Sequence, residues 1–254
     1  MATYDLFANH YDAVTGDSFA EATFVDSLIK QADANAVTLL ELACGTGGII
    51  SVLAGKYQVS GLDISPGMLA VARDKLPAGT PLYTADMTSF TVNVKFDTVI
   101  CIYHGINHLL GFPAWERFFD RVHAHLNDGG VFVFDIEPIG GLKLLASREK
   151  EVQQFGENYL VIRVRTRDEL VYDWNIEVFE RQRAGDYTLL TAVVRTVSFP
   201  LAQIQAALRR RFTDIKMVDG AGDAVTEDGV DRVWFVCTKP GSGSGGSGRP
   251  VHAA

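Results

Sequence analysis

The 254-residue chain is 47% hydrophobic and 21% charged, proportions that fit one large packed domain with an elaboration and exclude a disordered or fibrous chain. Its net charge is −8, which argues against a phosphate-tracking surface and predicts no nucleic acid partner. Three cysteines without a C-x-x-C pair predict reduced thiols in a cytoplasmic protein and no disulfide framework.

Residues 1–17 hold aromatic and polar groups, Tyr4, Phe7, His10, Tyr11 and Asp12 among them. Residues 18–32 place Phe19, Ala22, Val25, Leu28 and Ile29 at helical spacing, with Asp17 or Ser18 as cap. The apolar run 37–42 predicts a buried strand. It breaks into the small-residue turn Ala43-Cys44-Gly45-Thr46-Gly47-Gly48, and residues 49–54 resume as a helix. Such a turn brings backbone close to a ligand and aims helix N–H groups at it.

A second strand, residues 58–62, ends on Asp63, placed to accept from ribose hydroxyls. Ser65 and Pro66 then open a helix that contains Met68 and runs to about residue 75. A short strand over 81–84 leads to Asp86 and Met87, and a fourth over 95–102 ends near Ile102 and Tyr103. His104, Asn107 and His108 follow, before a helix around 114–126. Residues 127–130 read as a turn, and 131–136 as a fifth strand ending at Glu137. This alternation predicts a Rossmann-like, doubly wound, mostly parallel sheet of seven strands, two closing strands at 212–218 and 233–237 included.

Between the fifth strand and those closing strands the rhythm changes to period two. Residues 159–165, 169–181 and 187–198 predict an antiparallel sheet, with Ala184-Gly185-Asp186 as a hairpin turn. Arg163, Arg165 and Arg167 fall on one face. The predicted organisation is an N-terminal segment and core over 1–139, an inserted lid over 140–199, a closing helix and strands over 200–239, and a flexible Gly/Ser tail over 240–254 that reads as an appended linker. No run reaches the length of a membrane span, the first residues lack a signal-peptide pattern, and no His/Cys set has metal-ligand spacing. No membrane association and no metal are expected.

The turn is not the dinucleotide fingerprint G-x-G-x-x-G. Its phrasing, Glu41-x-Ala43-x-Gly45-x-Gly47, resembles motif I of the class I S-adenosylmethionine (SAM) methyltransferases. Ala43 replaces the pattern's first glycine, and its methyl group is tolerated if φ is negative there. Tyr11-Asp12, "LLELACGTG", "GLDISPGMLAVAR", "ADM", "FDTVICIYHGINHLL" and "LNDGGVFVFDIEP" resemble most the branch with nucleotide-linked amino-sugar N,N-dimethyltransferases. The resemblance covers residues 7–238. It implies SAM as cofactor and S-adenosylhomocysteine as product. The cofactor would be held by Tyr11, Glu41, Ala43, Cys44, Gly45, Thr46, Gly47, Asp63, Ile64, Met68, Asp86, Met87, Ile102 and Tyr103. Within this set Asp63 suits the ribose, and Asp86, Met87 and Ile102 suit adenine.

The chemistry expected is methyl transfer to N or O of a small polar metabolite, an amino sugar included, by a monomer or homodimer. A base is useful because a protonated nucleophile attacks poorly, and a histidine serves at neutral pH. The resemblance points to His108. His104, Glu137, Tyr172 and Trp174 are the candidate substrate residues, with Arg163 beside them. For each the alternative is ordinary packing, at a helix start for the histidines and within the sheet for the aromatics. A SAM-binding module or sensor without turnover is the alternative for the whole chain. Val14 and Thr15 stand where some relatives carry a substrate-facing tyrosine.

Overall fold

The computed structural model describes residues 3–225 and 230–241. A 3-10 turn, Thr3–Leu6, and a short helix α1, Tyr11–Thr15, precede the helix α2, Phe19–Ala32. The core then alternates β1 (Thr38–Leu42), α3 (Gly48–Leu53), β2 (Gln58–Asp63), α4 (Pro66–Lys75), β3 (Leu82–Thr84) and β4 (Phe96–Cys101). A 3-10 turn, Gly105–His108, leads to α5 (Phe112–His125) and β5 (Leu126–Ile136). After α6 (Ile139–Ser147) come β6 (Glu151–Phe155), β7 (Asn158–Thr166), β8 (Val171–Arg181) and β9 (Tyr187–Val197). Helix α7 (Leu201–Leu208), β10 (Thr213–Val218) and β11 (Val233–Thr238) close the fold.

Seven strands form one sheet in the order β10-β11-β5-β4-β1-β2-β3, with β11 alone running against its neighbours. Successive residues of β1, Leu39 and Leu40, are both fully buried, because helices cover both faces of a parallel sheet. Leu39, Ile100 and Val133 pack with α2, α3 and α4 on one side, and Leu40, Val99, Phe132 and Phe134 with α5 and α7 on the other. Strand order reverses between β1 and β4, which opens a crevice at their carboxyl ends.

The other four strands form a separate antiparallel sheet, β6-β7-β8-β9. Leu160 and Val178 on one of its faces pack with Phe7 and Phe155. The N-terminal segment is therefore wedged between insert and core. Asp5 accepts from the Ser65 hydroxyl and the Gly67 N–H at the start of α4, and Gln153 Nε2 donates to Val14 O at 2.9 Å.

Several local readings are corrected. Phe19 is 65% exposed while Ala22, Val25, Leu28 and Ile29 are buried, so the apolar stripe of α2 begins one turn later. Residues 127–130 belong to β5. Gly129, at φ 80, allows a bulge there, and Gly129 N–H and Gly130 O bond Lys239 at the end of β11. The insert has four strands and its own helix α6, where period two showed three. Of the predicted tail, residues 242–254 lie outside the described residues.

Candidate active site

The turn after β1 is built on left-handed backbone. Ala43 (φ 54), Gly45 (φ 53) and Gly47 (φ 74) all have positive φ. The expectation of a negative φ at Ala43 is wrong. The chain must reverse within a few residues to enter α3, and it takes the left-handed conformation there at a cost of about 1–2 kcal/mol for a residue with a Cβ. Gly47 is the N-cap of α3, where a Cβ would lie 3.2 Å from Ala72 Cβ. Gly45 meets the opposite situation. A Cβ built on it would find nothing within 4 Å, so its bare backbone faces open space.

That space is a cavity of about 660 Å3, in the usual range for a cofactor site. Tyr11, Glu41, Ala43, Cys44, Gly45, Thr46, Asp63, Ile64, Met68, Asp86, Met87, Ile102, Tyr103 and His108 all line it. Gly47 does not, and Gly48 takes its place on the wall. Tyr4, Asp12, Thr15 and Ser18 of the N-terminal segment line it too, as do Leu109, Leu110 and Val193, Val194 and Arg195 of β9. Of these, Tyr4 and Asp12 belong to the aromatic-rich start, Ser18 reads as a helix cap, Thr15 stands where some relatives carry a substrate-facing tyrosine, and Leu109 and Leu110 end the motif that contains His108. The β9 residues reach the site from about 85 positions beyond His108 through tertiary packing alone.

Asp63 organises the middle of the cavity. Its carboxylate accepts from Gly45 N–H and Ser65 N–H, each at 2.8 Å, and so ties the turn to the start of α4. Burial raises its pKa, with those backbone donors opposing. Ser65 caps α4 by accepting from Met68 N–H at 3.0 Å. Asp86 accepts from Thr88 N–H and hydroxyl, each at 2.7 Å, through one oxygen. Thr46 donates to Asp12 at 2.6 Å, which pins α1 over the turn.

Glu41 is buried, and its Oε2 has no hydrogen-bond partner among the described residues. Burial pushes its pKa well above the carboxylate range. A buried polar atom left unpaired costs about 1–3 kcal/mol, and Glu41 lines the cavity, so its carboxyl group suits a donor on a bound molecule. The residues fit a SAM-sized cofactor: bare backbone at Gly45, the carboxyl group of Glu41, half-buried Asp63, and the apolar walls of Met68, Met87 and Ile102.

His108 stands at the other end. Its Nδ1 lies 3.3 Å from Arg195 O and its Nε2 lies 3.3 Å from Tyr4 Oη. A carbonyl only accepts, so Nδ1 carries the proton and the Nε2 lone pair accepts from the tyrosine. Burial lowers the pKa of His108 and raises that of Tyr4, so a neutral imidazole and a protonated phenol are the favoured pair. Tyr11, edge-on to Tyr4, is pushed up to about 12 by its own burial.

His104 does not line the cavity. Tyr103 and His104 both have φ 59, and this turn sends the imidazole back into the protein. Its Nε2 lies 3.1 Å from Asp135 Oδ2 but without hydrogen-bond alignment. Burial lowers its pKa to about 4 despite that carboxylate. Asp135, fully buried, is held by Arg232 Nε at 2.7 Å, and Arg232 lies over the Trp234 ring at 4.2 Å. Glu137 belongs to this cluster, with Oε2 3.9 Å from His104 Nδ1, and burial, then Asp135, raises its pKa to about 7.

Tyr172 and Trp174 do not reach the cavity either. Tyr172 is fully buried with Leu142 and Val164, and Trp174 donates from its indole to Thr196 Oγ1 at 2.9 Å. The cavity meets the edge of the insert, at β9, and not its face.

Fold and cavity together define a class I, Rossmann-like methyltransferase architecture. Residues 39–130 match a family model described as "Methyltransferase domain". The sequence is 35% identical over 123 residues to a dTDP-3-amino-3,6-dideoxy-alpha-D-glucopyranose N,N-dimethyltransferase of Streptomyces fradiae, a match covering 48% of this chain and 47% of that protein. Its fold is similar to that of a sugar N-methyltransferase of Streptoalloteichus (TM-score 0.78, 26% identity, 93% of this chain and 92% of the other). It is also similar to a SAM-bound amino pentose methyltransferase of Micromonospora echinaspora (TM-score 0.73, 25% identity, 90% and 94%). Residues 39–130 thus carry the methyltransferase domain, the chain has the fold of class I SAM-dependent methyltransferases, and it spans about half the length of the curated relative from Streptomyces fradiae. No helix among the described residues is long and apolar enough to cross a membrane, and none of their side-chain groups has the makings of a metal site.

Proposed function

We propose that the protein transfers a methyl group from SAM to the nitrogen of a small polar metabolite, with an amino sugar as the leading substrate class. The observation that carries this reading is one cavity that runs from bare turn backbone and the Glu41 side chain to a tautomer-fixed histidine. The amino-sugar N-methyltransferases of similar sequence and fold support the choice of nitrogen.

Bound in this cavity, SAM supplies a methyl group on a cationic sulfur and is left as S-adenosylhomocysteine when an amine lone pair takes that methyl. Asp63 and the Gly45 backbone hold the cofactor's middle, and Met68, Met87 and Ile102 flank its base. Glu41 takes a donor at the other end. Tyr4, Tyr11 and α1 cover the cavity and exclude water, which strengthens every polar contact inside. His108 keeps the amine unprotonated by accepting its proton at Nε2, the atom that now accepts from Tyr4. Net charge −8 supports a small-molecule substrate over nucleic acid, and three buried free cysteines support a cytoplasmic protein. A monomer or homodimer fits the self-contained cavity.

Isothermal titration with S-adenosylhomocysteine, followed by radiolabelled methyl transfer to nucleotide-linked amino sugars, tests the reading. Binding with labelled N-methyl product is expected. Absence of binding, or tight binding with no product from any amine offered, overturns it.

A further inference from the structure

The first residues of the chain do more than roof the cavity. Tyr4 lies in the turn Thr3–Leu6, which is fastened to two different parts of the fold. On one side Asp5 accepts from the Ser65 hydroxyl and from Gly67 N–H at 3.1 Å, at the start of α4. A Cβ on Gly67 would lie 2.9 Å from that carboxylate, so the glycine makes room for it. On the other side Phe7 is buried among Phe155, Leu160 and Val178 of the insert, and its N–H donates to Tyr4 O at 3.0 Å. The Tyr4 ring, held between these anchors, stands edge-on to Tyr11 at 6.2 Å and to His108 at 5.6 Å.

Tyr4 Oη donates to His108 Nε2 at 3.3 Å, and His108 Nδ1 donates to Arg195 O at 3.3 Å. These bonds form one chain with one direction, from phenol to imidazole to backbone carbonyl. Among the described residues no second hydrogen bond reaches Tyr4 Oη, and a phenol that donates still has lone pairs with which to accept. Tyr4 and His108 both line the cavity. The imidazole lone pair is already occupied, so a donor in the cavity meets the phenol oxygen at the head of the chain.

We propose that Tyr4 is a catalytic residue that accepts an N–H of the substrate amine and passes the proton on to His108. The proposal rests on the methyl-transfer reading of the cavity. An amine that donates one N–H to Tyr4 keeps its lone pair for the incoming methyl group. Once nitrogen holds that methyl, it carries a positive charge and one proton too many. This proton passes from nitrogen to Tyr4 Oη, while the phenol proton passes to His108 Nε2. What remains is a neutral methylated amine, a phenol restored to its neutral form, and an imidazolium whose Nδ1–H stays on Arg195 O. Moving both protons together avoids a phenolate, which burial here disfavours. The other titratable groups that act on this pair are Tyr11, Asp63 and Glu137 around Tyr4, and His104 beside His108, while Arg195 turns its guanidinium to Asp173.

The test compares wild type, Tyr4→Phe, His108→Gln and the double variant. Each is measured for S-adenosylhomocysteine affinity by calorimetry, and for kcat against pH with SAM and a thymidine-diphosphate amino sugar, or another primary amine if wild type labels that instead. Tyr4→Phe keeps the ring and loses one hydroxyl, so S-adenosylhomocysteine affinity within about twofold of wild type is expected and reports an intact fold. Its kcat is expected to fall about 10²-fold, as much as in His108→Gln, with no further loss in the double variant, because links in series fail together. The acid limb that reports His108 is expected to vanish in Tyr4→Phe, since the imidazole no longer receives the proton. A limb set by Glu137 would survive in all four proteins. Nitrogen NMR of the S-adenosylhomocysteine complex supplies a readout without turnover: His108 of wild type should carry its proton on Nδ1, with Nε2 shifted in Tyr4→Phe. Wild-type kcat in Tyr4→Phe, a lowered kcat that keeps the His108 limb, or losses that multiply in the double variant overturn the proposal. So does His108 protonated at Nε2 in wild type, which needs no variant. If wild type fails to bind S-adenosylhomocysteine, or binds it and methylates no amine, the methyl-transfer reading itself has failed.

Discussion

Replacing Glu137 by Gln should stabilise the protein in a manner that depends on pH. Burial, then the neighbouring Asp135 carboxylate, raises the Glu137 pKa from 4.5 to about 7. The unfolded chain gives up this proton near the ordinary carboxylate value, whereas the folded chain keeps it to about 7. The raised pKa therefore contributes stability that is fully present below about pH 4.5 and lost as pH rises through 7. At about 1.4 kcal/mol per pH unit, the loss accumulates to about 1 kcal/mol by pH 5.5 and about 3 kcal/mol above pH 8. Glutamine has the same shape and no charge to desolvate. The bonds that hold this segment, Glu137 N–H to Asn107 Oδ1 at 3.2 Å and Asn107 Nδ2 to Glu137 O at 3.1 Å, are backbone bonds that the substitution keeps. His104 works in the opposite sense. Its pKa, lowered to about 4, removes stability as pH falls below the ordinary histidine value, so wild type alone shows a muted profile. Urea denaturation of both proteins between pH 4.5 and 8.5 isolates Glu137 in the difference. A gain for the variant near zero at pH 4.5 and about 3 kcal/mol at pH 8.5 is expected. A difference independent of pH, or a variant weaker at pH 8.5, would refute the reasoning and mean that Glu137 is ionised and paired.

Ala43→Gly should raise stability by about 0.5 kcal/mol, because relief of about 1–2 kcal/mol at φ 54 exceeds the added freedom of the unfolded chain. A loss above about 1 kcal/mol in the same urea assay would show that the methyl's packing outweighs the strain. Asp63→Asn keeps one acceptor oxygen for two backbone donors and removes the charge. S-adenosylhomocysteine should bind it about tenfold more weakly by calorimetry, and unchanged affinity would place the cofactor elsewhere. His108→Gln should lower kcat by about 10²-fold or more with little effect on S-adenosylhomocysteine affinity. In wild type the acid limb of kcat against pH should fall below the ordinary histidine value, since burial depresses this imidazole. A limb at or above pH 6.5 would assign the titration to another group.

The core was legible because its signals are local. The apolar run of β1, the small-residue turn, Asp63 at the end of β2, and Ser65-Pro66 at the start of α4 each lie within a few residues of the feature they specify. What failed depends on contacts distant in sequence. Strand β6 reads Glu-Val-Gln-Gln-Phe and carries no apolar alternation, so only its pairing with β7 makes it a strand. Helix α6 contains Gly140 and Gly141, which lower helix propensity. A Cβ on Gly141 would lie 2.7 Å from Asp231 O, so close backbone approach and not propensity explains that glycine. Period two in β8 placed Tyr172 and Trp174 on one face, but a sequence does not say whether the face or the edge of a sheet meets a cavity.

Edge contact also explains how a separate sheet can be part of a site formed on the core. Residues two apart on a strand direct their backbone groups to the same side. Val197 O accepts from Asn107 Nδ2 at 2.8 Å, and Arg195 O lies 3.3 Å from His108 Nδ1. Both carbonyls therefore leave β9 on the side away from β8, toward the turn Gly105–His108. Asn107, fully buried, also grips the Glu137 backbone. One side chain thus ties the end of β5, the turn after β4 and the edge of the insert. The next residue, His108, inherits its tautomer from that junction. An ordinary histidine acquires a directed lone pair because an asparagine beside it holds two sheets in register.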